Sequence, residues 1–500
     1  MLIFETSWEV CNRVGGIYTV LSTKTSYQLQ HHEVYFFGPD LGEQSDIFFK
    51  EQPSLLKSWR KSASASGLSV RVGRWLIPGR PIAILVRYEH LWDKKNEIYG
   101  QMWQSFGVQS HAAYGDYDDS CLFAYAVGEV MHSLFDHLKE QNHEHVVAHC
   151  HEWQTAFALF YLRLHCPQIA TVFTTHATGI GRSIAGNGKP LYDYFEHYNG
   201  NQMAQELGMV SKHSVERAAA HYAHCFTTVS DLTARECAQL LDKPVDIVTE
   251  NGFEMSFVPK GSAFAYSRRQ ARQELLRVAQ QKSGKTLADD SLICCISGRL
   301  EWKNKGIDVF LNAIKRYSIL NHPDNTPPVV AFVMVPYLEQ AVRCYQDGTT
   351  VVFCPYYLNG NDEMFGMSYY DLLIGMDMTI FPSYYEPWGY TPHESIAFHV
   401  PTVTTDLSGF GLWARAQKNN TDYLTGIKPV SVIHRTDSNT DEVIDSIARI
   451  LLRYNSLNYM EREQLRDTAL RLALTATWNE FFDKYEQAYN IAVSRITDNN

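Results

Sequence analysis

Short apolar runs alternate along the chain with longer stretches in which apolar residues return every three or four positions. The runs at 34–37, 82–86, 146–148 and 170–174 predict strands. The stretches 121–137, 156–165 and 214–224 predict helices. Such alternation means a parallel sheet with helices on both faces. It restarts after residue 245, with strands predicted at 247–248, 292–296, 329–335, 351–353 and 378–381. Two α/β lobes follow, 1–245 and 246–474, with a hinge near 242–252. A closing helix at about 475–500, striped by Trp478, Phe481, Phe482, Tyr485, Tyr489 and Ile491, completes the first lobe. The segment 179–208 is rich in Gly, Asn and Tyr and weakly periodic, which predicts a mobile lid or long loop over a site. The stretch 267–285, with Arg268, Arg269, Arg272 and Arg277, reads as a solvated helix face.

Composition narrows the picture without naming a function. A chain of 500 residues exceeds a single core, and 45% apolar with 20% charged residues describes a soluble globular protein. A net charge of −11 argues against general binding to nucleic acid or anionic membrane, although a local basic pocket for a small anion stays open. The ten cysteines lie mostly in apolar runs without CxxC spacing, and Cys294 and Cys295 point to opposite faces of a strand. They read as reduced thiols of a cytoplasmic protein. Met1 leads directly into the strand-like residues 2–4, and no apolar run reaches spanning length, so neither an export signal nor a membrane anchor is expected.

Four segments carry candidate chemistry. In 381–394 a buried strand gives way to a turn marked by Pro387 and Gly389; Thr391 reads as an N-cap, Pro392 as the first helical residue, and Glu394 as the partner that completes a capping box. A helix opening after a strand's carboxyl end aims free N–H groups into a crevice, where α/β proteins hold phosphates. Glu386 and Glu394 at its mouth suit sugar or ribose hydroxyls, while the bland alternative makes Glu394 a cap and Tyr384, Tyr385 and Trp388 core. In 297–306, Arg299 and Lys305 flank a loop after another strand and could neutralise a diphosphate without metal, or form a solvated basic turn. Gly15-Gly16, followed by a helix, permits close backbone approach, as do many plain turns. His149 and His151, with His143 and His145 nearby, resemble a metal cluster, yet strand spacing alone does not converge them and no carboxylate or cysteine completes a set. His176 ends a further strand beside a Gly-flanked Arg182. The chain lacks a GxSxG elbow, a GK[ST] phosphate loop and an HExxH helix.

Taken in order, these segments resemble the glycogen synthases of the animal and fungal type. The likeness rests on Trp8-Glu9-Val10 with 14–20, His151-Glu152-Trp153, 173–178, 216–221, 226–230, Asn304-Lys305-Gly306, 381–392 and 407–411. It implies an α/β GT-B fold, two Rossmann-like lobes with a deep interdomain cleft, and retaining transfer of glucose from UDP-glucose to a glycogen or α-glucan end. It implies no metal, no pyridoxal phosphate, no nucleic-acid or membrane partner, a cytoplasmic setting and a homo-oligomer. Arg299 and Lys305 would hold the diphosphate, Glu386 the glucose hydroxyls and Glu394 the ribose. Tyr369 would stack on the uracil, with Tyr370 as the competing register. The backbone at Gly15, Gly16, Trp388, Gly389, Tyr390 and Thr391 would approach the phosphates with Arg13 nearby. His176 would sit beside the sugar, Arg182 near the phosphate, and Glu152 on the acceptor side. Two departures stand out: Arg13 replaces a common Lys, and Arg462, Arg466 and Arg471 alternate with Glu461, Glu463 and Asp467, which predicts a solvated helix and no activation by glucose 6-phosphate. With no long tail after the closing helix, an unregulated bacterial member is expected. Sucrose-, trehalose- or starch-type synthases, a phosphorylase and a non-catalytic glycan-binding protein are the alternatives.

Overall fold

The computed structural model describes residues 1–139, 145–321, 328–339, 341–345, 347–421 and 425–497. They form two units: 1–187 with 194–252 and 478–500, and 188–193 with 253–477. The boundary thus falls beyond residue 245, and six residues inside the expected lid group with the second unit.

Among the described residues the first unit's sheet has nine strands: β1 (Leu2–Thr6), β2 (Glu33–Pro39), β3 (Phe49–Glu51), β4 (Val70–Trp75), β5 (Ile82–Val86), β6 (Val146–His151), β7 (Ala170–Thr175), β8 (Cys225–Thr228) and β9 (Ile247–Val248). Their order is β3-β4-β5-β2-β1-β6-β7-β8-β9, parallel except where β4 meets β3 and β5. β1 is wholly buried, because helices cover both faces and each face needs apolar side chains. The chain winds outward from β1 through β2 on one side and, after a long excursion, from β6 on the other. The sheet's direction of travel therefore reverses between β1 and β6.

The helix Trp478–Thr497 belongs to this unit. Trp478 is fully buried and its indole Nε1 donates to Thr23 Oγ1 at 2.8 Å, while Tyr485 and Tyr489 are buried beneath the sheet. The expected lid is instead ordered: helices Gly179–Gly186 and Gly200–Glu206 flank the six residues noted above. Its weak periodicity reflects short helices, each held by a side-chain cap, Thr178 on Gly181 N and Asn199 on Gln202 N.

The second unit carries β10 (Leu292–Ser297), β11 (Val329–Met334), β12 (Val342–Cys344), β13 (Thr350–Cys354), β14 (Met378–Ile380), β15 (Thr402–Thr405) and β16 (Val430–Ile433). Their order is β12-β13-β11-β10-β14-β15-β16, with β12 antiparallel at one edge, so travel reverses between β10 and β14. Two sequence readings change here. Arg268 and Arg272, on helix Gly261–Ser283, do not face solvent: they bind the buried Asp377 at 3.0 and 2.7 Å, and Asp377 also accepts from Ile293 N at 2.9 Å. Burial alone would raise the Asp377 carboxyl, but Arg272 and Arg268 hold it below the usual carboxylate range. The helix Tyr459–Ala473 is half-buried rather than solvated, with Leu465, Arg466, Ala469 and Leu472 turned inward. No described helix is long and apolar enough to cross a membrane, and all ten cysteines are free, Cys344 alone being exposed.

Candidate active site

Open α/β sheets bind ligands beyond the strand ends where the winding reverses, because neighbouring loops there diverge and leave a crevice. Each unit has one such point, and the candidate residues collect at both.

In the second unit the loops after β10 and β14 are bolted together. The turn Trp302–Lys305 ends at Gly306, which has φ +71°; a Cβ there would lie 2.1 Å from Pro382 O, so only glycine fits. Asn304 O accepts from Tyr384 N at 2.8 Å and from Tyr385 N at 3.3 Å. This contact fixes Lys305 beside Glu386, and its ammonium donates directly to that carboxylate. Arg299 is 60% exposed on its side chain and, among the described residues, pairs only with Glu301, at 3.2 Å. The capping box expected at Thr391 does not form. Gly389, at φ +107°, turns the chain earlier, and the helix runs Tyr390–Ala397 with Thr391 and Pro392 inside it. Glu394 instead accepts from Tyr370 OH at 2.7 Å.

The segment 407–411 braces this loop. Ser408 Oγ and Phe410 N both donate to Trp388 O, at 2.9 and 2.7 Å, and Gly409 N donates to Glu386 O at 3.1 Å. The two tyrosines separate by environment. Tyr370 packs its ring on Phe398, centroids 5.0 Å apart, with Phe253 and Phe257 around it. Tyr369 is half-buried, and its hydroxyl accepts from Ser297 Oγ at the end of β10, 2.8 Å away.

In the first unit Gly15 precedes a helix spanning Gly16–His31. The Glu9 carboxylate already accepts from Gly15 N at 2.7 Å and Tyr18 N at 2.9 Å, whereas a Cβ on Gly16 would meet nothing within 4 Å. The loop is therefore open to a ligand at Gly16. Arg13 is exposed, its guanidinium 5.6 Å from the Tyr18 ring centroid.

The histidines were incompletely read from sequence. His143 lies outside the described residues. His149 and His151 share one face of β6, and β1 supplies the carboxylate that the sequence did not reveal: Glu5 pairs in register with His149. Ligand atoms of Glu5, His149 and His151 lie within 4.8 Å of one another. The fully buried Lys24, however, donates to Glu5 Oε1 at 2.5 Å and Gln28 to Oε2 at 2.6 Å, so a cation there would have to displace an ammonium. His151 Nε2 meets Glu5 Oε1 at 2.8 Å, and its Nδ1 meets Nε2 of His176 at 3.0 Å. Burial pushes His149, His151 and His176 below the ordinary histidine range. Glu5, Lys24 and the relay through His151 carried no local sequence signal.

Glu152 stands at φ +66°, a left-handed conformation that costs a non-glycine residue about 1–3 kcal/mol. The twist lets its carboxylate accept from His176 N at 2.8 Å. Burial, then the neighbouring Glu216, pushes its carboxyl well up, and Arg182 opposes this. Glu216 is raised by burial as well, against hydrogen bonds from Thr175 and, at 2.9 Å, Gly179 N. Arg182 lies exposed on the helix that Thr178 caps.

These two units have the architecture of GT-B glycosyltransferases. Over 99% of both chains the structure superposes on the catalytic domain of starch synthase IV from Arabidopsis thaliana, bound to ADP and acarbose, with TM-score 0.63 at 15% identity. A trehalose 6-phosphate synthase from Burkholderia multivorans matches with TM-score 0.56 at 10% identity, over 100% of this chain and 98% of that one. The sequence model of the family described as Glycogen synthase matches residues 5–346 and 338–500, and the chain belongs to that family. The liver glycogen [starch] synthase of Mus musculus is 26% identical, over 99% of this chain and 84% of that protein. Isoform 2 of Saccharomyces cerevisiae is also 26% identical, over 99% and 86%. The chain is a glycosyltransferase that takes a nucleotide-sugar donor and a glucan acceptor.

Proposed function

We propose that the chain transfers glucose from UDP-glucose to the non-reducing end of an α-1,4-glucan with retention of configuration. The observation that carries this reading is the pairing of Lys305 with Glu386 at the β10/β14 winding reversal, with Arg299 exposed on the same loop after β10. A donor carries a diphosphate beside a hexose, and this site offers cations beside a carboxylate. On binding, Lys305 would exchange Glu386 for a phosphate oxygen, and Glu386 would turn its lone pairs to glucose hydroxyls. Arg299 would give the second phosphate contact as a bidentate fork. Trp388, Gly389, Tyr390 and Thr391 would lie along the phosphates, Glu394 at the ribose, and Tyr369 against the base. Tyr370 is less suited to the base because its ring is already packed.

The first unit would contribute Gly15, Gly16, Arg13 and Arg182 toward the phosphates and His176 beside the sugar, with Glu152 on the acceptor side. In the reaction the acceptor C4 hydroxyl bonds to the anomeric carbon as the bond to UDP breaks, and a departing phosphate oxygen takes the hydroxyl proton. Arg299 and Lys305 stabilise the charge that develops on UDP. In this reading the cations do that work without a metal or pyridoxal phosphate. Free, mostly buried thiols support a cytoplasmic setting.

The test is nucleotide release from UDP-glucose and from ADP-glucose, each with and without glycogen. Release from UDP-glucose that requires glycogen and lengthens it is the expected result. Faster turnover of ADP-glucose would reassign the donor, and glycogen binding without release would remove the transferase reading.

A further inference from the structure

Glu5, Lys24, His151 and His176 form a buried chain that runs from the core of the first sheet to its surface. Glu5 and Lys24 are fully enclosed, His151 is 1% exposed and His176, at 9%, is the member that reaches the surface. The hydrogen positions follow from donor and acceptor counting. Glu5, ionised beside Lys24, only accepts, and it takes bonds from Lys24, Gln28 and His151. The proton of a neutral His151 must therefore sit on Nε2, which leaves its Nδ1 bare. A bare Nδ1 accepts, so the proton of His176 must sit on Nε2, pointing at His151. His176 Nδ1 is then unprotonated, and it takes no hydrogen bond from the described residues.

The neighbouring groups leave this order undisturbed. His149 is served separately, by Tyr489 OH at 3.3 Å and Thr174 Oγ1 at 2.7 Å, with Thr174 joined to Thr227 at 2.5 Å. Lys24 rests over the Tyr485 ring, 4.6 Å from its centroid, and balances the charge of Glu5.

We infer that Glu5, through His151, fixes His176 in the tautomer whose Nδ1 is a bare acceptor, so that the site offers the donor hexose a hydrogen-bond acceptor. The inference rests on the proposed place of His176 beside the sugar. Glu5 and His151 are positioning residues: they act through His176 and set the species that meets a sugar hydroxyl. Lys24 and Gln28 lie on the helix that follows Gly15-Gly16, so the same network ties that helix to the orientation of His176.

The experiment is ¹⁵N NMR of the full chain labelled at histidine, with His176 assigned by the signals lost in His176→Asn. The wild-type chain without donor should show His176 protonated at Nε2 and bare at Nδ1. In Glu5→Gln the amide can donate or accept, so both tautomers of His176 should be populated. Its kcat should fall with the fraction of His176 lost to the other tautomer, about 2-fold for equal populations, with donor KM unchanged. A wild-type His176 protonated at Nδ1 overturns the inference. So does a Glu5→Gln chain with mixed tautomers and unaltered kcat. The tautomer is read without substrate, so its failure is separate from failure of the glucosyl-transfer reading, which nucleotide release tests.

Discussion

At the β1/β6 reversal, Glu5, Lys24, His149 and His151 are almost completely enclosed; Glu5 holds Lys24 at 2.5 Å and His151 at 2.8 Å, and His149 is held by neighbouring hydroxyls. At the β10/β14 reversal, Arg299 is 60% exposed, while the paired Lys305 and Glu386 keep 16% and 15% of their side chains in contact with solvent. The first arrangement is complete before any ligand arrives, because buried charges must be paired to be tolerated. The second keeps its charge accessible, so that an anion can replace water and the resident carboxylate. One region fixes geometry and the other supplies charge, and substitutions in the two should fail differently.

The largest effect is expected where charge is supplied. Arg299→Ala or Lys305→Ala should lower kcat by on the order of 10²–10³, with Tm close to wild type for the exposed Arg299. Steady-state kinetics beside thermal melts will check this, and wild-type turnover would dissolve the contrast between the two regions. Next comes a stability effect without a catalytic one. Asp377→Asn leaves Arg268 and Arg272 unbalanced at the start of β14, and should cost about 3 kcal/mol by denaturant unfolding, with kcat retained below the melt. Because the Asp377 carboxyl is held down, its contribution exists above the unfolded carboxylate range and disappears as pH falls through its folded value.

Glu216 has the opposite sign and a smaller effect. Its carboxyl is raised, so the folded chain holds a proton that the unfolded chain has lost. Stability from this group falls as pH rises above the unfolded range. Glu216→Gln should flatten the decline in Tm between about pH 5 and about pH 8. The smallest expected change is none: glucose 6-phosphate should leave the rate unaltered. Arg462 donates to Asn455 O at 3.1 Å, the buried Arg466 pairs with the partly exposed Glu463 at 3.1 Å, and Arg471 donates to Thr468 at 3.0 Å.

Much of the second unit's candidate site can be proposed from the sequence because its parts are local. Turn and cations lie within ten residues at 297–306, and strand end, turn and carboxylates within fourteen at 381–394. What misled there was equally local. Thr391-Pro392 with Glu394 satisfies a capping pattern, but Gly389 can take φ +107° and starts the helix sooner. Arg268 and Arg272 read as solvated, as the exposed Arg269 and Arg277 of the same helix are, because their partner, Asp377, lies more than a hundred residues away.

The sequence by itself determined which segments become strands and helices, since apolar period and run length act over a few residues. It also determined the residue types offered at each strand end. Only the tertiary structure decided that Glu5 meets His151, 146 positions distant, through the register of β1 on β6. It alone decided that Lys24 neutralises this carboxylate and that the ring of Tyr370, rather than that of Tyr369, stacks on Phe398. Pairings of that kind follow from strand order and register, and side chains far apart in the chain carry no local mark of the neighbour they will meet.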